Sequence, residues 1–184
     1  YGCMQYFHSF WPSDNTDPLK RVFIQWGFSH IFPANTISAH VTRMGQRPMK
    51  FTIDVALSGA YGVDLDLSKL SKEEEAHIRS SVELYKKSLR PVVQYGYLYR
   101  MNSPYEGCAA SLAYVMPGRD KAVVFVYQVA DGECGTVKVK GLDPQGKYKV
   151  SELNLPAGER SRFELNGKTV SGAELMDKGF VPTC

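Results

Sequence analysis

Between residues 11 and 27 the chain reads Trp-Pro-Ser-Asp-Asn-Thr-Asp-Pro-Leu-Lys-Arg-Val-Phe-Ile-Gln-Trp-Gly, a polar loop that runs into an amphipathic helix. Asp17 followed by Pro18 predicts the helix start, because aspartate caps a first turn well and proline fits the first helical position. Apolar residues then recur at the i, i+3, i+4 and i+7 spacing of one helix face, and Gly27 suits the end. They are Leu19, Val22, Phe23 and Trp26.

The sequence around this helix alternates between strand-like and helix-like runs. Short strands are predicted over residues 6–11, 29–33 and 63–67. Further helices are predicted over residues 48–60 and behind the capping box that starts at Ser71, up to Pro91. Such alternation indicates parallel strands with crossover helices. Three units are too few to close an eight-stranded barrel, so we expect the last three units of one, with an open parallel sheet as the competing architecture.

The second half of the chain has a different sequence pattern, with short strand-length runs separated by turn residues. Strand-length runs separated by Gly, Pro and Asp cover residues 110–116, 122–130, 135–140 and 148–153, with shorter segments at 162–165 and 168–170. Asn166-Gly167 between two such runs predicts a type I′ hairpin. These features indicate an antiparallel β-sandwich. The predicted fold class is therefore α/β plus all-β: the end of a (β/α)₈ barrel over residues 1–104 and a small sandwich over residues 105–184.

Composition limits the function classes. A formal net charge of +3 without a basic run argues against nucleic-acid binding. No window approaches the roughly 20 apolar residues of a membrane helix, so no membrane partner is expected. The chain begins with Tyr1 and lacks a signal pattern, which suggests a cut or processed chain. The compartment is therefore left open between bacterial cytoplasm and periplasm.

The cysteines and histidines do not have the spacing of a metal site. Cys3, Cys108, Cys134 and Cys184 lie far apart, and so do His8, His30, His40 and His77. This spacing argues against a usual zinc or dithiol motif, and the glycines form no phosphate-cradling loop, so neither a metal nor another cofactor is expected. It favours separate thiols and leaves a Cys108–Cys134 bridge open.

The densest polar cluster is residues 13–17, at the expected carboxyl end of a strand, where barrels build their active sites. Asp17 is explained as a helix cap, but Asp14 is not. A carboxyl partly desolvated beside Trp11 would hold its proton to higher pH, as a general acid requires. A loop of Asx-turns that only caps the helix is the alternative. Two weaker candidates are the pair Asp64 and Asp66, which a solvated strand face also explains, and His40, which an ordinary loop position also explains.

Several motifs together resemble glycoside hydrolase family 36, the microbial and plant α-galactosidases. The family's W-x-S-D-x-T-D stretch is matched by residues 11–17, its R-x-x-I-Q-[YW]-G helix by residues 21–27, and its Y/F-P strand end by Phe32-Pro33. Ser38-Ala39-His40-Val41 matches the segment that follows. The resemblance continues more loosely along the rest of the chain.

This resemblance implies a catalytic barrel followed by a β-sandwich, and retaining hydrolysis of terminal α-galactosides such as melibiose and raffinose-type sugars. The family's acid/base is the aspartate of its S-D motif, which is Asp14 here. We expect Trp11 and Asp17 to shape the sugar pocket. Some relatives transfer galactosyl groups instead, so the choice between hydrolysis and transfer stays open.

One departure from the family bears on activity. The family's nucleophile lies in a K-W-D motif that this sequence does not contain, and its cysteine-glycine substrate loop is missing as well. We therefore expect a fragment that is inactive alone. A partial barrel would expose a sheet edge, which makes a homo-oligomer or a complementary fragment an open option. The competing function is a non-catalytic carbohydrate-binding or structural sandwich module.

Overall fold

The computed structural model describes residues 2–183, which divide into two units. The first unit ends at Gln94 and the second begins at Tyr95. This division lies N-terminal to the boundary predicted between residues 104 and 105. The reason is that the strand Tyr97–Arg100 pairs with Ala109–Val115 and so belongs to the second unit.

The first unit alternates helices and short parallel strands. Its elements are α1 (Pro18–Phe28), β1 (Ser38–Val41), α2 (Met49–Leu57), β2 (Ala60–Val63) and α3 (Lys72–Leu84), with 3₁₀ turns at Gly2–Gln5, Ala34–Thr36 and Leu67–Lys69. β1 pairs with β2 in parallel, and Phe10 adds a parallel bridge to Ile37 on the other side of β1. Three parallel segments are therefore joined by α1 and α2, as the alternation predicts.

Two of the predicted strands lie in other places. Residues 29–33 form a turn on the end of α1, where the N–H groups of Ile31 and Phe32 both donate to the carbonyl of Phe28. The strand lies further along the sequence, as β1. The strand predicted over residues 63–67 is instead β2, which ends at Val63. Of the strand predicted over residues 6–11, only the bridge at Phe10 forms among the described residues.

The face of α1 that is buried differs from the predicted apolar stripe. Its buried residues are Pro18, Arg21, Val22, Gln25 and Trp26. Leu19 and Phe23 remain partly exposed. The helix therefore turns two polar side chains inward, because each finds acceptors there. Gln25 Nε2 donates to the carbonyl of Val55 at 3.0 Å, and the acceptors of Arg21 lie in the site described below.

The third helix runs through the proline that was predicted to end it. α3 continues as a π-helical turn over Tyr85–Leu89 and then as α4 (Arg90–Tyr95). Pro91 has no N–H for an i→i−4 bond, and a wider π turn just before it accommodates that loss. The capping box at the start of α3 is present: Glu74 N–H donates to Ser71 Oγ, and Ser71 N–H to Glu74 Oε2.

Gly59, between α2 and β2, sits where no side chain fits. A Cβ atom at this position would lie 2.8 Å from Ala39 Cβ and 2.9 Å from the Ile37 carbonyl oxygen. Its own carbonyl accepts a 2.8 Å hydrogen bond from the hydroxyl of Tyr85. Close approach of the α2–β2 turn to β1 therefore requires glycine here.

The second unit is built on antiparallel pairing. Its elements are β3 (Tyr97–Arg100), β4 (Ala109–Val115), β5 (Ala122–Gln128), β6 (Lys147–Lys149), β7 (Thr169–Ser171) and α5 (Gly172–Asp177). β3, β4 and β5 form one sheet in that order, and β6 pairs with β7. Every residue of β4 is buried. Ala113 and Val115 of β4 share a core with Val170 and Leu175, so β4, β7 and α5 pack together.

Some predicted strands of the second unit do not form. Residues 135–140 contribute only the bridge of Val137 to Phe180, and residues 162–165 are not strand. Gly167 has a φ of +79°, whereas Asn166 is absent from the positive-φ residues. A type I′ turn needs positive φ at both central positions, so that prediction is wrong. Within residues 2–183, no helix has both the length and the apolar character to cross a membrane.

Candidate active site

The loop before α1 uses every second side chain to hold its own backbone. Ser13 Oγ accepts from Asn15 N–H at 3.1 Å, and Asn15 Oδ1 accepts from Asp17 N–H at 2.9 Å. Asp17 Oδ1 then accepts from Leu19 N–H at 2.9 Å, which is the predicted helix cap. These bonds leave out the carboxylate of Asp14. The Asx-turn interpretation therefore explains the loop's shape but assigns no structural task to Asp14.

The side chain of Arg21 holds this loop in place through hydrogen bonds to its backbone. The side chain is 1% exposed. Its Nη1 donates to the carbonyls of Ser13 at 3.1 Å and Asn15 at 2.9 Å, so it grips the residues on both sides of Asp14. Its Nη2 lies 3.3 Å from His40 Nδ1. All three acceptors are neutral, and burial lowers the pKa of the guanidinium from its ordinary value.

His40 connects this hydrogen-bond network to the indole ring of Trp11. It lies on β1 and is 4% exposed. Its ring stacks on Trp11 with a centroid separation of 3.6 Å and an interplanar angle of 19°. Because a guanidinium only donates, Nδ1 of His40 is the acceptor and the ring proton is on Nε2. His40 is therefore neither a plain loop residue nor an isolated pocket residue: it links Arg21 to Trp11.

The electrostatics agree with a neutral imidazole. Burial, reinforced by the charge of Arg21, lowers the pKa of His40 from 6.5 to about 4, although Asp64 and Asp14 act in the opposite direction. His40 Nε2 and Arg21 Nε are buried without a hydrogen-bond partner in the part of the chain that the structure describes. Unpaired buried groups are uncommon in folded proteins, and each needs an explanation. Two of them in one network mark this place as a candidate functional site.

The low pKa of His40 predicts a pH-dependent stability. Since the pKa is lower in the folded chain than in the unfolded one, the contribution is complete above pH 6.5 and is lost as the pH falls towards about 4. We expect the free energy of unfolding of the first unit to fall by about 3 kcal/mol over that window from this residue alone. Urea unfolding followed by tryptophan fluorescence measures it, since both tryptophans, Trp11 and Trp26, lie in this unit.

A glutamine at position 40 separates this contribution from those of other titrating groups. The amide oxygen of His40→Gln keeps an acceptor for Arg21 but does not titrate. The variant should therefore lose less stability between about pH 7 and about pH 4 than the unsubstituted chain. His8→Gln, at an exposed position, is the matched control and should leave the slope unchanged. Equal slopes for the unsubstituted chain and His40→Gln would contradict the prediction.

The candidate side chains are grouped at one edge of the parallel sheet, but Asp14 is exposed there rather than partly desolvated as expected. The side chain is open to solvent although Trp11 is only three residues away in the sequence. A cavity of about 510 Å³ lies over the loop, lined by Asp14, Asn15, Thr16, Asp17, Lys20, Gln46 and Arg47. The structure thus brings Asp14 and Asp17 to one cavity, with Trp11 beside them on His40.

Asp64 and Asp66, the second candidate carboxylate pair, have different surroundings. Asp64 follows β2 at the same edge of the sheet and lies near enough to act on His40. Asp66 instead caps the following 3₁₀ turn: its Oδ1 accepts from Ser68 N–H at 3.1 Å, and its Oδ2 pairs with Lys69 at 3.1 Å. Only Asp64 therefore belongs to the neighbourhood of the site. Between Gly2 and Thr183 there is no group of three His, Cys, Asp or Glu side chains suited to a metal ion.

Comparisons with known proteins identify the family. Residues 1–96 match the profile of the Melibiase family, and residues 109–183 match that of the Glycosyl hydrolase family 36 C-terminal domain. α-Galactosidase AgaA of Geobacillus stearothermophilus is 33% identical over 88% of this chain and 23% of its own length. α-Galactosidase Mel36A of Lactobacillus acidophilus is 34% identical over 97% of this chain and 24% of its own length.

Solved structures give the same result. The family 36 α-galactosidase AgaB of Geobacillus stearothermophilus aligns over 100% of this chain and 24% of its own, with a TM-score of 0.84 and 33% identity. An AgaA variant from that organism, solved in complex with raffinose, aligns over 94% of this chain and 23% of its own, with a TM-score of 0.79 and 30% identity. The chain thus spans about a quarter of the length of these relatives. It belongs to the melibiases of glycoside hydrolase family 36.

Proposed function

We propose that these residues form the acid/base side of the active site of a retaining α-galactosidase that hydrolyses terminal α-galactosides of the melibiose and raffinose type. The observation that carries the proposal is the position of Asp14. Asp14 lines a cavity, and the buried Arg21 donates hydrogen bonds to the backbone carbonyls on both sides of it. The complex of the AgaA variant with raffinose supports the substrate class.

The proposed whole-protein architecture is a (β/α)₈ barrel followed by a β-sandwich. The first unit would supply the last β/α units of the barrel. Its parallel β1 and β2, joined by α2, support this part, because active-site loops of such barrels leave the carboxyl ends of the strands. The second unit, with its antiparallel β3–β4–β5 sheet and the β6–β7 pair, would be the sandwich.

In the proposed mechanism Asp14 acts twice. It first donates a proton to the glycosidic oxygen as that bond breaks, and it then removes a proton from the water that attacks the glycosyl-enzyme. The nucleophilic carboxylate comes from a K-W-D motif outside this sequence. Arg21 is buried and donates to the main chain on both sides of Asp14, so its proposed role is that of a positioning residue that fixes the loop around Asp14.

Trp11 and Asp17 are proposed to shape the sugar pocket. Trp11 is 48% exposed, and one face of its indole ring stacks on His40. The uncovered side gives an apolar surface for a sugar ring. Asp17 lines the cavity while one of its carboxylate oxygens caps α1, so the other oxygen is the one available to a sugar hydroxyl.

The isolated 184-residue chain should not turn over an aryl α-galactoside. Without the nucleophile no glycosyl-enzyme can form, and loss of a catalytic member of such a site lowers rates by orders of magnitude. The measurement compares this chain with the full-length enzyme, meaning a polypeptide that carries these residues together with the family's nucleophile strand. We expect hydrolysis with retention at the anomeric carbon, followed by NMR, in the full-length enzyme only.

The experiment tests two parts of the proposal separately: that the nucleophile lies outside this chain, and that the full-length protein is a hydrolase. Turnover by the isolated chain would show that the nucleophile lies within these residues. A full-length protein that binds α-galactosides without hydrolysing them would favour the non-catalytic binding module instead.

A further inference from the structure

Cys108 and Cys134 meet in the second unit, far from each other in sequence. Cys108 directly precedes β4, and Cys134 lies in the segment that follows β5. Their Sγ atoms are 2.7 Å apart, yet no disulfide bond joins them. Cys134 is 8% exposed, whereas Cys108 is partly exposed. The pair therefore has one thiol open to solvent and one buried behind it.

The main chain, and not the sulfur atoms, brings the two residues together. The carbonyl of Cys108 accepts from Val129 N–H at 2.7 Å and from Ala130 N–H at 3.4 Å. Gly132 has a φ of +130°, and a Cβ atom there would lie 3.9 Å from Cys108 Cβ. The segment leaving β5 is thus folded back onto Cys108. A disulfide bond of about 2.05 Å requires the sulfurs to move by less than about 1 Å from here.

We propose that Cys108 and Cys134 are a redox pair that closes to a disulfide by exchange with a low-molecular-weight disulfide such as oxidised glutathione. The more accessible Cys108 thiolate attacks one sulfur of the reagent, and one thiolate leaves, which gives a mixed disulfide. The Cys134 thiolate then attacks Cys108 Sγ and displaces the second thiol. In sum, two protein thiols lose two protons and two electrons, and the reagent is reduced to two thiols.

Closure of this bond stabilises the second unit. The cross-link joins residues that are 26 positions apart and so removes conformations from the unfolded chain. It also ties the start of β4 to the segment that leads to Val137, which bridges to Phe180. For a unit of this size we expect the midpoint of its thermal transition to rise by about 10 °C on oxidation.

The experiment uses the full chain with Cys3→Ser and Cys184→Ser, so that only this pair can react. After incubation with oxidised glutathione, we expect the intact mass to fall by two hydrogens without a stable glutathione adduct. Trypsin should then release a linked pair of peptides, residues 101–119 and 122–138. Calorimetry should show the raised midpoint, and a reducing agent should reverse it.

Two controls keep the result interpretable. Cys134→Ala in the same background should retain one glutathione on Cys108 and show no rise of the midpoint, and Cys108→Ser should show neither closure nor a rise. Two glutathione adducts on the chain that carries both cysteines would overturn the proposal. So would an unchanged mass under conditions in which the urea-unfolded chain becomes cross-linked.

Discussion

Asp14→Asn in the full-length enzyme is expected to lower kcat/KM on raffinose by about 10³-fold. General acid catalysis contributes about 10²- to 10⁴-fold, and the amide cannot deliver a proton to the leaving sugar oxygen. Asparagine keeps the size of the side chain, and the carboxylate of Asp14 takes no part in the hydrogen bonds that shape the loop. The folded structure should therefore be unchanged. Steady-state hydrolysis of raffinose by the purified variant measures the loss.

The dependence on the leaving group shows whether Asp14 is the acid. A nitrophenolate leaves without protonation, so the first step on a nitrophenyl α-galactoside should be affected far less than on raffinose. Asp66→Asn is the matched control: the same exchange at an exposed carboxylate that caps a 3₁₀ turn and pairs with Lys69. It should keep near-normal rates. Equal losses of kcat/KM on both substrates, or an Asp14→Asn variant with the same kcat/KM on raffinose as Asp66→Asn, would remove Asp14 from the acid/base role.

The sequence predicts helix starts in this chain because the signals act within one turn. Asp17 caps α1 and Ser71 with Glu74 forms a capping box, both through hydrogen bonds between near neighbours. No distant part of the chain is needed to decide them. The same locality explains why Asp14 stands out as a candidate: its neighbours Ser13 and Asp17 have recognisable local tasks, and it has none.

Strand positions and the partners in the site depend on distant residues and are predicted poorly. The predicted segment 29–33 is as apolar as a strand, but the end of α1 takes up its N–H groups, and pairing with β2 places the strand at β1. The sequence does not single out Arg21 as a site residue, because its acceptors lie in a loop and on β1. One signal was available: Arg21 and Gln25 are spaced i, i+4 beside the apolar stripe, the spacing of a shared helix face.

Arg21→Ala is expected to destabilise the first unit by about 3 to 5 kcal/mol. The substitution removes one buried and two partly buried hydrogen bonds. It leaves the carbonyls of Ser13 and Asn15 and the Nδ1 atom of His40 without the donor that Arg21 provides. A buried acceptor without a partner typically costs about 1 to 3 kcal/mol. Urea unfolding of this chain, followed by tryptophan fluorescence, measures the change. Since domains are stable by about 5 to 15 kcal/mol, this is a large share of the total.

Two further arginine substitutions show whether the geometry of the guanidinium matters. Arg21→Lys keeps the charge, but a single ammonium cannot bind the two loop carbonyls and His40 at the same time. We therefore expect Arg21→Lys to lower the free energy of unfolding by about half as much as Arg21→Ala does. Arg79→Ala removes an exposed arginine that pairs with Glu75 at 2.7 Å and should cost at most about 1 kcal/mol. If Arg21→Ala is no more destabilising than Arg79→Ala, the buried network does not hold the loop.

A positioning role predicts more than lost stability. In the full-length enzyme, Arg21→Lys should lower kcat/KM on raffinose by about 10-fold or more, because displacement of an acid by a fraction of an ångström weakens proton transfer. The first step on a nitrophenyl α-galactoside needs no acid and should change little. A residue that only stabilised the fold would affect both substrates alike. The difference between the two substrates therefore separates the contribution of Arg21 to the placement of Asp14 from its contribution to folding.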